Sequence, residues 1–391
     1  MITVSEAIGA ILDGVRPLGV ERVSLTGLSG RIVAQEVRAA MTQPPFAASA
    51  MDGYAIRFDD MKSGATLRVI GEAPAGTPFD GEVGPGEAVR IFTGGAVPGG
   101  ADHIIIQEDV TRSGNSIVIE ATQEGPRNMR PAGIDFETGD VLANAGERLH
   151  EIHGAIFAAA NIPGVEVFRR PRISLFSNGD ELKDPGSELK PGQIINSNHY
   201  ALCDLIRNWG GEADYLGCAA DSEASIRAFF QRGRGADIII PVGGASVGDY
   251  DLVKSAFAKE SGAVTFEKVA VRPGKPTWSG ALGSARVIGL PGNPASAIVT
   301  AALFVQPLVR RLAGEVWSAP FAGARLTAPI TANGGRESYL RATVDGGVIT
   351  PASNQDSSLL RPFAKANALI KRVANAPAAE IGDEVEFIRL R

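Results

Sequence analysis

Residues 238–251 read IIIPVGGASVGDYD. Three isoleucines, a proline and a valine make a short continuous apolar run, the pattern of a strand buried on both faces. It opens into a loop with little side chain, Gly243, Gly244, Ser246 and Gly248, and then into Asp249 and Asp251. Glycines let ligand atoms reach main-chain N–H groups, and carboxylates hold cations. The loop is not a Walker sequence, because no Lys-Ser/Thr follows its second glycine, and it is not GxGxxG.

The surrounding chain supplies the sheet. From Arg172 onward, strand-like runs (RISLFS, EADYLGCAA, ADIIIPV, AVTFEKVAV, ARVIGLPG) alternate with helix-like runs (HYALCDLIRNWG, SEASIRAFFQRG, DLVKSAFAKESG, PASAIVTAALFVQPLVRRLAG). That alternation predicts a doubly wound, mostly parallel α/β sheet, and such sheets bind ligands beyond the carboxyl ends of their strands. Each strand end here carries something polar: Asp180 and Glu181 in NGDEL, Asp221, the GGASVGDYD loop, Arg272 and Lys275 in RPGKP, and PGNP with Pro291 and Pro294. Singly, each has a plainer reading as a turn, a helix cap or a surface charge. Together they put carboxylates, cations and bare backbone at one edge, a setting for Mg²⁺ against an anionic ligand.

The flanks are different. Residues from about 20 to 168 are rich in Gly, Pro and short β-like runs such as TLRVIG, AVRIFTG, HIIIQEDV and SIVIEA, and HEIHGAIFAAANI reads as a helix. The tail holds five short strand-like runs and predicts a small β-barrel or sandwich. His150 and His153 form HxxH without a third ligand in view, and Ser246 does not sit in GxSxG, so zinc and nucleophile-elbow readings fall away.

The whole chain bounds the answer. Its 391 residues imply several domains. A net charge of −6 argues against general nucleic-acid binding. No apolar run is expected to approach the ~18–20 residues of a membrane span, and the N-terminus is read as lacking a basic leader. Two cysteines outside any CxxC pair suit a reducing cytoplasm.

The set MDGYA, RIFTGGAVPGGADHIIIQED, NMRPAGID, SNGDEL, GGASVGDYD, KVAVRPGKP and GLPGNPASA resembles the MoeA family of molybdopterin molybdenumtransferases, related to the C-terminal domain of gephyrin, over nearly the full length. The resemblance implies a homodimer of four-domain subunits. The central α/β molybdopterin-binding domain is expected at residues 171–318. An elongated N-terminal domain is expected at 1–43 and 134–170, an inserted β-rich domain at 44–133, and a C-terminal β-barrel at 319–391. It implies insertion of molybdenum from molybdate into adenylylated molybdopterin with release of AMP and use of Mg²⁺. Possible contact with a molybdopterin adenylyltransferase is implied too, and neither nucleic acid nor membrane.

Carried over by motif, the catalytic set is Asp52, Thr93, Arg130, Glu181, Asp221, Asp251, Lys268 and Lys275. Gly243, Gly244, Ser246, Gly248, Arg272, Pro291 and Pro294 would contact the pterin ligand, and Glu181, Asp221, Asp249 and Asp251 would hold the metal. Arg272 stands where relatives often carry Lys, Asn178 where many carry Thr, and Asp356 where the family's Q-G-S-x-L stretch has Gly. Arg341 and Ser358 are further anion-site candidates. The rival readings are a molybdopterin adenylyltransferase and a non-catalytic scaffold.

Overall fold

The computed structural model describes residues 1–122, 128–244, 252–316 and 321–390. Its centre is a six-stranded sheet. The order is Glu212–Ala219, Arg172–Asn178, Ile238–Val242, Ala285–Gly289, Trp278–Leu282 and Ala263–Phe266. The first four strands are parallel and the last two pairings antiparallel. Ile238, Ile239, Ile240, Pro241 and Val242 are all buried, as the continuous apolar run requires. Ile240 and Val242 face one core, with the helices Asn198–Asn208 and Pro294–Leu312. Ile239 faces the other, with Ile226, Phe230 and Phe257 from the helices Glu223–Arg232 and Leu252–Lys259. Helices on both faces make the sheet doubly wound. Its strand order reverses between Arg172–Asn178 and Ile238–Val242, the crevice where open α/β sheets take ligands.

Two β-rich units precede it. Residues 53–119 build a six-stranded sheet in the order His103–Ile106, Gly53–Ile56, Glu87–Ile91, Thr66–Ala73, Ser116–Ile119, Val110–Ser113. Two short antiparallel pairs, Val20–Ser24 with Gly164–Phe168 and Val37–Arg38 with Val141–Ala143, enclose a smaller core with the helix His153–Ala159. At the other end, Phe321–Leu326, Glu337–Asp345, Val348–Pro351, Ala368–Arg372 and Glu384–Arg389 close a five-stranded barrel, because Glu337–Asp345 pairs both Val348–Pro351 and Ala368–Arg372.

Three expectations need correction. Residues 1–43 do not act as one piece: the helix Val4–Leu12, capped by Thr3 and Glu6, buries Val4, Ala7 and Ile11 in the α/β core. AVTFEKVAV is not one strand. The sheet strand ends at Phe266, and Val271–Arg272 pairs instead with Glu337–Ser338 of the barrel sheet. The 19-residue helical run Pro294–Leu312, with a π turn at Ala301–Val305, is long and apolar enough for a membrane by length and composition. In the fold 89% of it is buried, so it serves as the central core helix.

Close packing sets tolerances at the sheet. Gly289 lies in register with Trp278, and an added Cβ would collide with the indole. Gly289→Ala should lower stability by ~1–3 kcal/mol through forced repacking. Chemical denaturation reads this as a lower midpoint with an unchanged slope.

Candidate functional site

Asn178 is the last residue of its strand, beside the crevice. Its Nδ2 donates to Asp221 Oδ1 at 2.7 Å. The Asp180 N–H donates to Asp221 Oδ2 at 3.3 Å, and the Asp221 N–H returns a bond to Asp180 Oδ1 at 3.1 Å. Two loops are thereby clasped with their carboxylates side by side. Glu181 adds a third, exposed acid. The Cys218 thiol nearby is pushed up to about 11, first by burial and then by the Glu181 and Asp221 charges.

The neighbouring strand end presses against this clasp. Gly243 and Gly244 have φ of 99° and 67°, values that favour glycine. A Cβ on Gly243 would lie 2.8 Å from the Asn178 carbonyl oxygen, and one on Gly244 would collide with the Asn178 side chain. Asn178 Oδ1 is buried there and accepts no hydrogen bond among the described residues. Gly292 of PGNP completes the floor, since its Cβ would meet Gly243 Cα at 3.6 Å. Pro291 is buried, and Pro294 opens the core helix. Ser246, Gly248, Asp249 and Asp251 lie outside the described residues.

The cations gather on the barrel side of the same edge. A cleft of about 730 Å³ separates the RPGKP loop from the barrel. Arg272 and Lys275 line it with Arg336, Arg341 and Arg372, and Asp356 is the sole acid among its described lining residues. Arg272 and Lys275 are exposed and pair with no acid among the described residues. Lys268 is half-buried, follows the sheet strand rather than lying in it, and is not part of the cleft wall.

Arg341 is spoken for. It is 2% exposed, and its guanidinium donates to the carbonyls of Leu359 at 2.8 Å and Asp356 at 2.9 Å. Ser358 donates both its N–H and its hydroxyl to Asp356 Oδ1, at 2.8 and 2.6 Å. Both residues, candidates for holding an anion, instead shape the 354–359 loop. That loop is pinned to the α/β helix: the Ala295 N–H donates to the Ser357 carbonyl at 3.0 Å, and Asn293 Nδ2 to its hydroxyl at 3.0 Å.

The N-terminal motifs form a second patch. Ser49 bonds with Gly94 and Gly95, Ala50 with Asn128, and Arg130 pairs with Ala48, which brings MDGYA, TGG and NMR together. Asp52 Oδ1 accepts the Thr93 N–H and hydroxyl, each at 2.8 Å. These bonds hold its carboxyl below the ordinary range, the backbone donor contributing most. Among the described residues no hydrogen bond or ion pair joins this patch to the strand-end site.

The structure bonds Asp52 to Thr93, which the sequence places only in separate motifs, and it sets Arg272 and Lys275 of one motif on one cleft wall. Sequence reading misses Asn178 as the Asp221 clamp, though its place at the strand end was a signal. It also misses Arg336 and Arg372, which only the barrel closure carries to the cleft.

A multidomain α/β protein with acids and cations flanking one crevice is the class defined so far. Three family models match in order: "MoeA N-terminal region (domain I and II)" over residues 2–161, "Probable molybdopterin binding domain" over 176–311, and "MoeA C-terminal region (domain IV)" over 323–390. A molybdopterin molybdenumtransferase of Nostoc sp. is 36% identical, covering 82% of this chain and 76% of its own. That of Haemophilus influenzae is 37% identical, covering 82% and 80%. The crystal structure of a MoeA molybdopterin biosynthesis protein from Pyrococcus horikoshii superposes with a TM-score of 0.84 at 32% identity, over 100% of this chain and 99% of its own. The chain belongs to the MoeA family of molybdopterin molybdenumtransferases.

The Asp52 bonds give a direct test. A carboxyl depressed in the fold adds stability above its unfolded pKa and loses it as pH falls through the folded value. Thr93→Val keeps the backbone donor and removes the hydroxyl. The Asp52 carboxyl should rise toward, without reaching, the ordinary range, as followed by carboxyl carbon NMR titration. An unmoved value would mean the hydroxyl contributes nothing.

Proposed function

We propose that the protein is a transferase that inserts molybdenum from molybdate into adenylylated molybdopterin and releases AMP. The observation that carries this is the pairing, at one sheet edge, of the Asp180–Asp221 clasp with a cleft whose Arg272 and Lys275 have no acid partner among the described residues. Molybdate, phosphate and AMP are anionic, and a protein of net charge −6 must gather cations locally to bind them. The clasp supplies acids for a cation that accompanies phosphate. No group of three or more ligating side chains stands ready for a metal among the described residues. Mg²⁺ needs only one or two carboxylates besides waters and substrate oxygens, so Asp221 and Asp180, with Glu181 close by, fit it. When bound it would neutralise charge on the phosphate link. In this reading Asn178 and the Asp180 N–H hold Asp221 in one orientation. Gly243 and Gly244 leave room for the ligand, and Lys275 on its proline-bounded loop meets an oxyanion. The adenylyltransferase reading has less support, because the barrel supplies Arg336, Arg341 and Arg372 to the cleft, which the α/β unit alone lacks.

The test is AMP release from adenylylated molybdopterin across magnesium and molybdate titrations. Asp221→Asn should raise the magnesium needed. Lys275→Ala should cost about ten- to a hundred-fold in kcat/KM at low molybdate, the worth of one charge-assisted contact, with an unshifted melt. Wild-type turnover in both variants rejects the assignment of this edge as the active site.

A homodimer with a composite site belongs to the same proposal. It is supported by the separation of the Asp52–Thr93 patch from the strand ends within one chain. Mixing Asp52→Ala with Glu181→Ala protein should restore part of the activity through hybrid dimers. Persistent inactivity after demonstrated subunit exchange would mean that each site is built from one chain.

A further inference from the structure

Five cations line the cleft and one carboxylate faces them, that of Asp356. Its position is fixed from several sides. Its carbonyl accepts from Arg341 Nη2 at 2.9 Å, its N–H donates to Asn354 Oδ1 at 2.9 Å, and the next residue is bonded to Ala295 and Asn293 of the α/β unit. The carboxylate itself takes the N–H and the hydroxyl of Ser358 through a single oxygen, Oδ1. This local turn fixes the charged oxygen in place at the cleft wall. The same bonds keep the Asp356 carboxyl below the ordinary carboxylate range, so it stays charged at neutral pH. A free hydroxyl or a neutral side chain at this point would leave the cleft uniformly cationic.

We propose that Asp356 is a built-in opponent of a tetrahedral oxyanion in this cleft: its carboxylate, held in place by Ser358, opposes the oxyanion's charge and so sets the affinity of the cleft for its anionic substrate. The inference rests on the proposed function, which makes the cleft an oxyanion site. It adds the residue that limits binding there. Like charges this close repel strongly at low salt and less as the Debye length shortens. The consequence is an affinity lower than five cations would give, which lets the oxyanion be handed on rather than retained.

The experiment measures binding of sodium molybdate, and separately of AMP, to the full-length protein by calorimetry at low and high ionic strength. Asp356→Asn keeps the oxygen that Ser358 contacts and removes the charge; Asp356→Gly removes both. Each should bind molybdate about ten-fold more tightly than wild type at low salt, with a smaller gain at high salt. A gain for molybdate alone means that Asp356 opposes the free oxyanion. A gain for AMP alone means that it opposes the nucleotide phosphate. Unchanged or weaker binding of both ligands in the well-folded Asn variant overturns the proposal, and a thermal melt certifies that fold. Lys275→Ala runs alongside. If it weakens molybdate binding while the Asp356 variants do nothing, only the opposing role is lost. If Lys275→Ala binds molybdate like wild type, the reading of the cleft itself fails.

Discussion

Two residues tie the barrel to the α/β unit where the chemistry would occur. Val271 and Arg272 leave the central sheet and pair in parallel with Glu337 and Ser338. The chain then turns at Gly274, packed so tightly on Thr300 of the core helix that a Cβ there would collide with the threonine methyl. One side of this loop is thus fixed by a barrel strand and the other by the α/β core. Tyr339, Leu369 and Ile388 reinforce the join, since they leave the barrel's own interior to pack in the same apolar cluster as Val271 and Phe304. The cleft is the gap this join leaves open. Its cations come from both units because neither one closes it alone.

Charge partnering elsewhere makes that gap selective. Glu260 is satisfied by Arg227, Gln231 and Arg234, Asp237 by Arg169, and Glu315 by Arg148 and Arg310. These pairs stitch elements together and present little net field. Among the described residues the cations of RPGKP are left without such partners, and a cleft wall of one sign raises the local pull on an anion. The acids at Asp180 and Asp221 are likewise bonded to amide donors and not to arginines, so they keep their charge for a cation. Acid over the crevice and base over the cleft set this edge apart from those paired clusters.

Much of this was legible in the sequence because the relevant patterns are local. The apolar run before Gly243, the strand–helix alternation from Arg172 and the short β-like runs of the tail each announce an element whose periodicity or turn chemistry is contained within a few residues. Strand bounds failed where pairing decided them. Nothing in AVTFEKVAV says that its second half will join another domain's sheet, because a two-residue parallel pairing is set by its distant partner. The helix Val4–Leu12 starts at Thr3, whose capping box with Glu6 places the cap two residues before the candidate Ser5, and its place in the α/β core was not readable, since an amphipathic face does not name what covers it. For the site, residue types at strand ends could be read, and their hydrogen bonds could not. Arg341 and Ser358 have the chemistry of anion ligands, yet loop geometry turns the first onto carbonyls and the second onto Asp356.

Asn178 shows how such a site is supported by the fold around it. Its amide must donate to Asp221 to orient that carboxylate, which leaves its own oxygen buried against Gly244 without a donor among the described residues. A buried unpaired carbonyl costs about 1–3 kcal/mol. A hydroxyl at this position could donate to the same carboxylate with a smaller unpaired remainder. It would not span the same distance, because the amide reaches one bond further from the backbone. Such a cost would be offset by the strand beneath, which is buried over its whole length from Ile173 between two apolar clusters. Stability gathered there is what permits a less stable, correctly aimed arrangement at the end of the strand.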